Sequence, residues 1–130
     1  MGNPDFQFDV ETRVEENFLV IYTTGNYSLS KANNLFRLAI DHSLLHNKSK
    51  ILIDVTSITG SIPFFDRFDY AEFLSDYKIK HALGKIHRIA VVGKEPIVDN
   101  RRFGETVAIN RGINVQVFTD MPMALTWINS

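Results

Sequence analysis

The feature that most constrains this chain is the continuous apolar run Ile51-Leu52-Ile53, followed by Asp54, Val55 and the polar stretch Thr56-Ser57-Ile58-Thr59-Gly60. A strand without polar alternation must bury both faces, as the inner strands of a parallel sheet do. Such a sheet needs crossovers between its strands and helices on its faces. The run therefore predicts an α/β domain with a strand at Ile51–Val55 near its centre. From Asp54 the chain is expected to leave the sheet through a loop. Pro63, favoured in a first helical turn, then begins a helix. A strand end, a polar loop and a helix start are where open α/β domains place their sites.

The flanking sequence fits that frame. Phe6, Phe8 and Val10 alternate with Gln7, Asp9 and Glu11, the pattern of a half-buried strand. Glu15-Glu16-Asn17 reads as a turn, and Phe18–Thr24 as a more buried strand. The short connection makes the two an antiparallel hairpin with the first strand at the sheet edge. Gly25-Asn26 is expected to break the second strand. Ser28 or Ser30 then caps a helix whose stripe is Leu29, Ala32, Phe36, Ala39, Ile40 and Leu44. That helix ends near His46-Asn47-Lys48, with cationic side chains at the negative end of its dipole.

A second helix is predicted over Pro63–Leu83, with Phe64, Phe68, Ala71, Ser75, Ile79 and Ala82 on one stripe. Tyr70, Phe73, Leu74 and Tyr77 form another apolar set nearly opposite. Gly84 ends this helix. Strands follow at Ile86–Val92 and Ile113–Phe118, separated by a helix from about Asp99 to Arg111-Gly112. Thr119 or Asp120 caps a last helix with Met121, Ala124, Leu125 and Ile128 inward. The reading is one α/β domain over residues 1–130: a five-stranded mixed sheet, four helices, an N-terminal antiparallel hairpin and right-handed crossovers.

Composition narrows the function. The chain has 130 residues, 45% apolar and 22% charged, with a formal net charge of -1. That balance carries no basic footprint for nucleic acid. No apolar run approaches the roughly 20 residues that span a bilayer. With no cysteine, thiol nucleophiles and cysteine-built metal sites are excluded. The N-terminal sequence lacks the regions of a signal peptide, so a cytoplasmic location is expected.

The segments ILIDVTSITG, FFDRFDYAEFL, RIAVVG, RRFGETVAINRGINVQVFTD and ALTWI together resemble the SpoIIAA-like proteins of the STAS superfamily, within its bacterial group of mostly unassigned function. The resemblance covers about residues 50 to 130. It implies a small βα domain that acts without catalysis, as anti-sigma-factor antagonists, transporter appendages and ligand-binding regulators do. In the antagonists the loop after this strand carries an Asp-Ser pair whose Ser is phosphorylated. Counted from Asp54, the pair would fall near Ile62-Pro63 and is absent. The same superfold includes the lipid-binding CRAL-TRIO lobe, which keeps a small apolar ligand among the expectations.

Candidate residues follow from both lines. Ser57, Thr59 and Ser61 precede a helix start, where hydroxyls and free N–H groups can hold an anion or accept a phosphate; ordinary capping is the simpler role. Tyr70, Phe73, Leu74 and Tyr77 are a partner-binding set if exposed and a core set if covered. Arg101 and Arg102 offer guanidinium forks to an anion. A pocket for an apolar ligand would be walled by Phe64, Phe65 and Phe68. His42 and His46 are spaced for a metal but lack further ligands, so no metal is expected. Asp54 lacks the acidic pair that accompanies a phospho-accepting aspartate and is expected to bind following amides in an Asx turn. No GxSxG or phosphate-binding GxxxxGK[ST] is present, and no cofactor is expected. The partner is expected to be another protein or a second copy of the chain, with neither nucleic acid nor membrane involved.

Overall fold

The computed structural model describes residues 7–60, 86–94 and 114–130. Five strands form one sheet in the order β1-β2-β3-β4-β5. They are β1 (Asp9–Val14), β2 (Leu19–Asn26), β3 (Lys50–Thr59), β4 (Arg88–Val92) and β5 (Val115–Phe118). β1 pairs antiparallel with β2, and the other pairings are parallel. Two helices lie among the described residues, α1 (Leu29–Leu45) and α2 (Met121–Asn129). The helices expected at 63–83 and 99–111 fall outside them.

Parallel pairing explains the apolar run. Ile51, Leu52 and Ile53 are at most 1% exposed, because β3 has a strand on each side and a helix layer over each face. On one face, Ile51, Ile53, Val55 and Ile58 pack with Leu19, Ile21 and Ile89 against Leu35, Phe36, Ala39 and Ile40 of α1. On the other, Leu52 packs with Val20, Ala90, Val92 and Phe118 against Ala124 and Ile128 of α2. Burying each such side chain contributes about 1.5–3 kcal/mol.

Local chemistry sets the helix ends. Ser28 caps α1, its hydroxyl accepting from the Lys31 N–H at 3.1 Å. At the other end Asn47 takes φ +57°, the Lys48 N–H donates to Ser43 O at 2.9 Å and the Asn47 N–H to Leu44 O at 3.3 Å. This is a Schellman ending, with Asn in the left-handed role that glycine usually fills. Asp120 caps α2 by accepting from the Met123 N–H at 3.2 Å.

Several expectations need correction. β1 runs from Asp9 to Val14, later than the Phe6–Glu11 pattern. Val10 is 39% exposed: an edge strand lies at the margin of the helix layer, and only Phe8, just before it, reaches the core. Gly25-Asn26 does not break β2; Gly25 stays paired, opposite Ile58, at φ +139°. Leu44 is 42% exposed, while Leu35 and Ser43 are buried instead, because the 3.6-residue period carries the stripe through 32, 35–36, 39–40 and 43. The largest correction concerns β3, which passes Asp54 and continues to Thr59. Val55, Thr56, Ile58 and Thr59 are β-branched and suit a strand.

Candidate functional site

Past Asp54 the register of β3 on β2 slips by one. Tyr22 faces Asp54, but Thr24 faces Ser57, so Val55 and Thr56 together oppose Thr23. This is a β-bulge. Its backbone is held by side chains. One Asp54 carboxylate oxygen, Oδ1, accepts from the Thr56 N–H at 2.9 Å and from the Thr56 hydroxyl at 2.7 Å. The buried Thr23 hydroxyl donates to Asp54 O at 2.8 Å. Asp54 thus makes the Asx bond expected of it, inside a strand rather than in a loop.

The bulge changes which way the strand faces. Side chains alternate along a strand, so one extra residue inverts the pattern beyond it. Ile58 therefore returns to the α1 core. Ser57 and Thr59 turn to the opposite face, level with Thr24 and Asn26. β1 extends the surface through Asp9, opposite Thr24, and Glu11, opposite Tyr22. The result is a polar half-face of the sheet built of Asp9, Glu11, Tyr22, Thr24, Asn26, Asp54, Ser57 and Thr59. Tyr22 and Asp54 are half-buried, and the other six are exposed. The lower half of the same face is the apolar seat of α2.

The upper rim of this face is well tied. The Tyr27 N–H donates to Thr59 O at 2.8 Å, and the Thr59 hydroxyl bonds the Asn26 side-chain oxygen. The Lys31 ammonium donates to Asn26 O at 3.2 Å and lies 5.7 Å from the centre of the Phe8 ring. Phe8 packs on Gly25, where a Cβ would stand 3.1 Å from its Cδ1. Arg13 bonds Glu11 at 3.3 Å and covers the Tyr22 ring at 5.4 Å. The Ser57 hydroxyl is exposed and bonds no other described residue.

The structure thus brings Ser57 and Thr59 together on one strand face. Ser61, Tyr70, Phe73, Leu74, Tyr77, Arg101 and Arg102 lie outside the described residues, as do Phe64, Phe65 and Phe68. Thr24, Asn26, Asp9 and Glu11 escaped the sequence reading because pairing register, not spacing, places them beside Ser57. Their signal was the run of polar residues at alternate positions.

A separate groove of about 410 Å³ lies between β1 and α1. Phe8, Val10, Leu35 and Leu38 give it an apolar wall, and Gln7, Asn34, Arg37, Asp41 and His42 its polar lining. His42 Nδ1 is buried without a hydrogen-bond partner. The His42 and His46 rings are 6.1 Å apart, and among the described residues no group of three His, Asp or Glu side chains could hold a metal. No described helix is long and apolar enough to cross a membrane.

This sheet order, with its antiparallel edge and helices on both faces, is a SpoIIAA-like fold. Solved structures agree. An anti-sigma factor antagonist from Mycobacterium paratuberculosis matches at TM-score 0.61 and 18% identity, over 100% of both chains. An uncharacterised Shewanella loihica protein with a SpoIIAA-like fold matches at TM-score 0.54 and 17% identity, over 94% of this chain and 93% of that one. No family model and no curated protein matches the sequence.

Proposed function

We propose that this chain is a non-enzymatic regulatory module that binds another protein. Its docking surface runs from the polar half-face at the end of β3 onto the helix expected at 63–83. The observation that carries this reading is the open sheet face around Ser57 and Thr59, at the C-terminal end of the central parallel strand. Open α/β domains use that end for recognition. The fold shared with an anti-sigma factor antagonist supports a regulatory role. Tyr70, Phe73, Leu74 and Tyr77 supply the apolar anchors that such an interface needs, and Arg101 and Arg102 offer an anion site.

The same face suits control by phosphorylation at Ser57, Thr59 or Ser61. A phosphate adds roughly −1.5 to −2 charges. At Ser57 it would join Asp9, Glu11 and Asp54 on a face where Arg13 is already engaged by Glu11. Like charge would then oppose an acidic partner and favour a basic one.

The test is a pull-down from the native host with wild type, Ser57→Glu and Tyr70→Ala/Tyr77→Ala. A specific partner retained by wild type is expected to be weakened at least about tenfold by Tyr70→Ala/Tyr77→Ala, since buried aromatic anchors dominate such interfaces, and Ser57→Glu is expected to lower its capture if it is acidic and raise it if it is basic. Unchanged capture of every partner by both variants would remove this surface from the role. A second reading, small-molecule binding, rests on the groove between β1 and α1 and its unsatisfied His42 Nδ1. Native mass spectrometry of freshly purified protein would show the bound ligand as added mass.

A further inference from the structure

The sheet ends at β1, which among the described residues has a strand neighbour on one side only. Its open side can be identified residue by residue. The Glu15 N–H donates to Phe18 O at 2.9 Å, and the register from there is unbroken through Asp9. In an antiparallel ladder, residues alternate between bonding one neighbour and facing the other way. Arg13, Glu11 and Asp9 therefore bond β2. Val10, Thr12 and Val14 direct their N–H and C=O groups away from the sheet. A bare row of that kind is a template for another strand.

The sequence of this edge matches itself. Around Thr12 the strand reads Val10-Glu11-Thr12-Arg13-Val14. Laid antiparallel on a second copy about a two-fold axis at Thr12, it sets Glu11 opposite Arg13 of that copy, twice. It also sets Val10 opposite Val14, twice. Val10 and Val14 are 39% and 48% exposed, two of the five large apolar side chains left exposed among the described residues. Moving the axis to Glu11 opposes two glutamates, and moving it to Arg13 opposes two arginines. Like charges directly opposite disfavour pairing. The Thr12 register opposes Asp9 to Glu15, a like pair at the solvent-exposed ends.

We propose that β1 pairs with β1 of a second copy about a two-fold axis at Thr12, joining two sheets into one of ten strands. The three outward residues of each chain then exchange N–H···O=C bonds. The Arg13–Glu11 pair within each strand, its side chains 60% and 64% exposed respectively, is supplemented by the same pair between copies. This edge shares Glu11 with the polar half-face but not Ser57, Thr59 or the helix expected at 63–83, and its readout is self-association, so the two readings can fail separately.

Sedimentation equilibrium of the full chain decides the matter, with circular dichroism confirming that each variant is folded. Wild type is expected to be a dimer. Glu11→Arg sets arginine against arginine and Arg13→Glu sets glutamate against glutamate. Each alone is expected to weaken dimerisation at least about tenfold, because two cross-strand pairs change sign. An equal mixture of the two variants restores both oppositions and is expected to recover a heterodimer. Thr12→Pro removes an N–H that the monomer leaves unpaired, which an edge strand tolerates, and is also expected to yield monomer. A wild type that is monomeric at every concentration overturns the proposal. So does a dimer indifferent to all three variants, or charge variants that do not recover on mixing.

Discussion

Asp54 is where the chemistry of one side chain decides the shape of a strand. Its carboxylate holds the Thr56 amide, which the bulge takes out of the ladder, and the Thr56 hydroxyl as well. Hydrogen bonds to a charged acceptor contribute about 1.5–3 kcal/mol, so Asp54→Ala is expected to lower stability by roughly that amount. Asp54→Asn keeps an Oδ1 acceptor and is expected to lose under about half as much; equal losses in urea unfolding would contradict this role. Gly25 is the other decisive position. At φ +139°, with Phe8 against it, Gly25→Ala combines backbone strain with a steric clash and is expected to cost about 1–3 kcal/mol. Its denaturation midpoint should fall with an unchanged m-value. The Asp54 bond to a following amide was legible in advance; the need for glycine at 25 inside a strand was not. Asp54 was identifiable as a loop organiser, but Ser and Thr serve loops and strands alike, so the strand beyond it was hidden.

At the scale of elements the sequence was most informative where burial is two-sided or periodic. Ile51-Leu52-Ile53 announced the central strand, and Ser28 or Ser30 the start of α1, of which Ser28 is the cap. The edge was least legible, because alternation at Phe6, Phe8 and Val10 cannot show where a covering helix stops. Of the candidate site, Ser57 and Thr59 were named but assigned to a loop, and their cross-strand neighbours depend on a register that no local pattern encodes. The docking of α2 rests on a contact of the same non-local kind. Arg88 on β4 bonds Trp127 O and the Ser130 hydroxyl, and its guanidinium stands 5.1 Å from the Trp127 ring centre. It thereby places a cation at the negative end of the helix. Trp127 also lies against Phe118, with ring centres 5.8 Å apart. Lysine retains the charge but not the planar fork, so Arg88→Lys is expected to cost about 1 kcal/mol. Trp127 is the sole tryptophan, and a red shift of its emission before global unfolding would report the loosened helix.

For the molecule as a whole, the antiparallel edge, the buried parallel centre and the two helix layers divide the surface into unlike regions. Among the described residues, β1 has a strand neighbour on one side only, the upper half of one face presents hydroxyls and carboxylates, and α1 covers the opposite face over β2 and β3. If both proposals hold, the chain meets a second copy at the β1 edge and a different protein around Ser57 and Thr59, two strands away across the sheet. The strand order carries a further consequence. Each of the described strands after β1 lies beside the one that precedes it among them, so none of them must wait for a later strand before finding its neighbour. The hairpin can form first, α1 can close β3 onto it, and each later strand adds to a finished edge. Such a chain suits assembly during its emergence from the ribosome. β1, paired on one side from the start, would remain the margin from which two finished molecules could find each other.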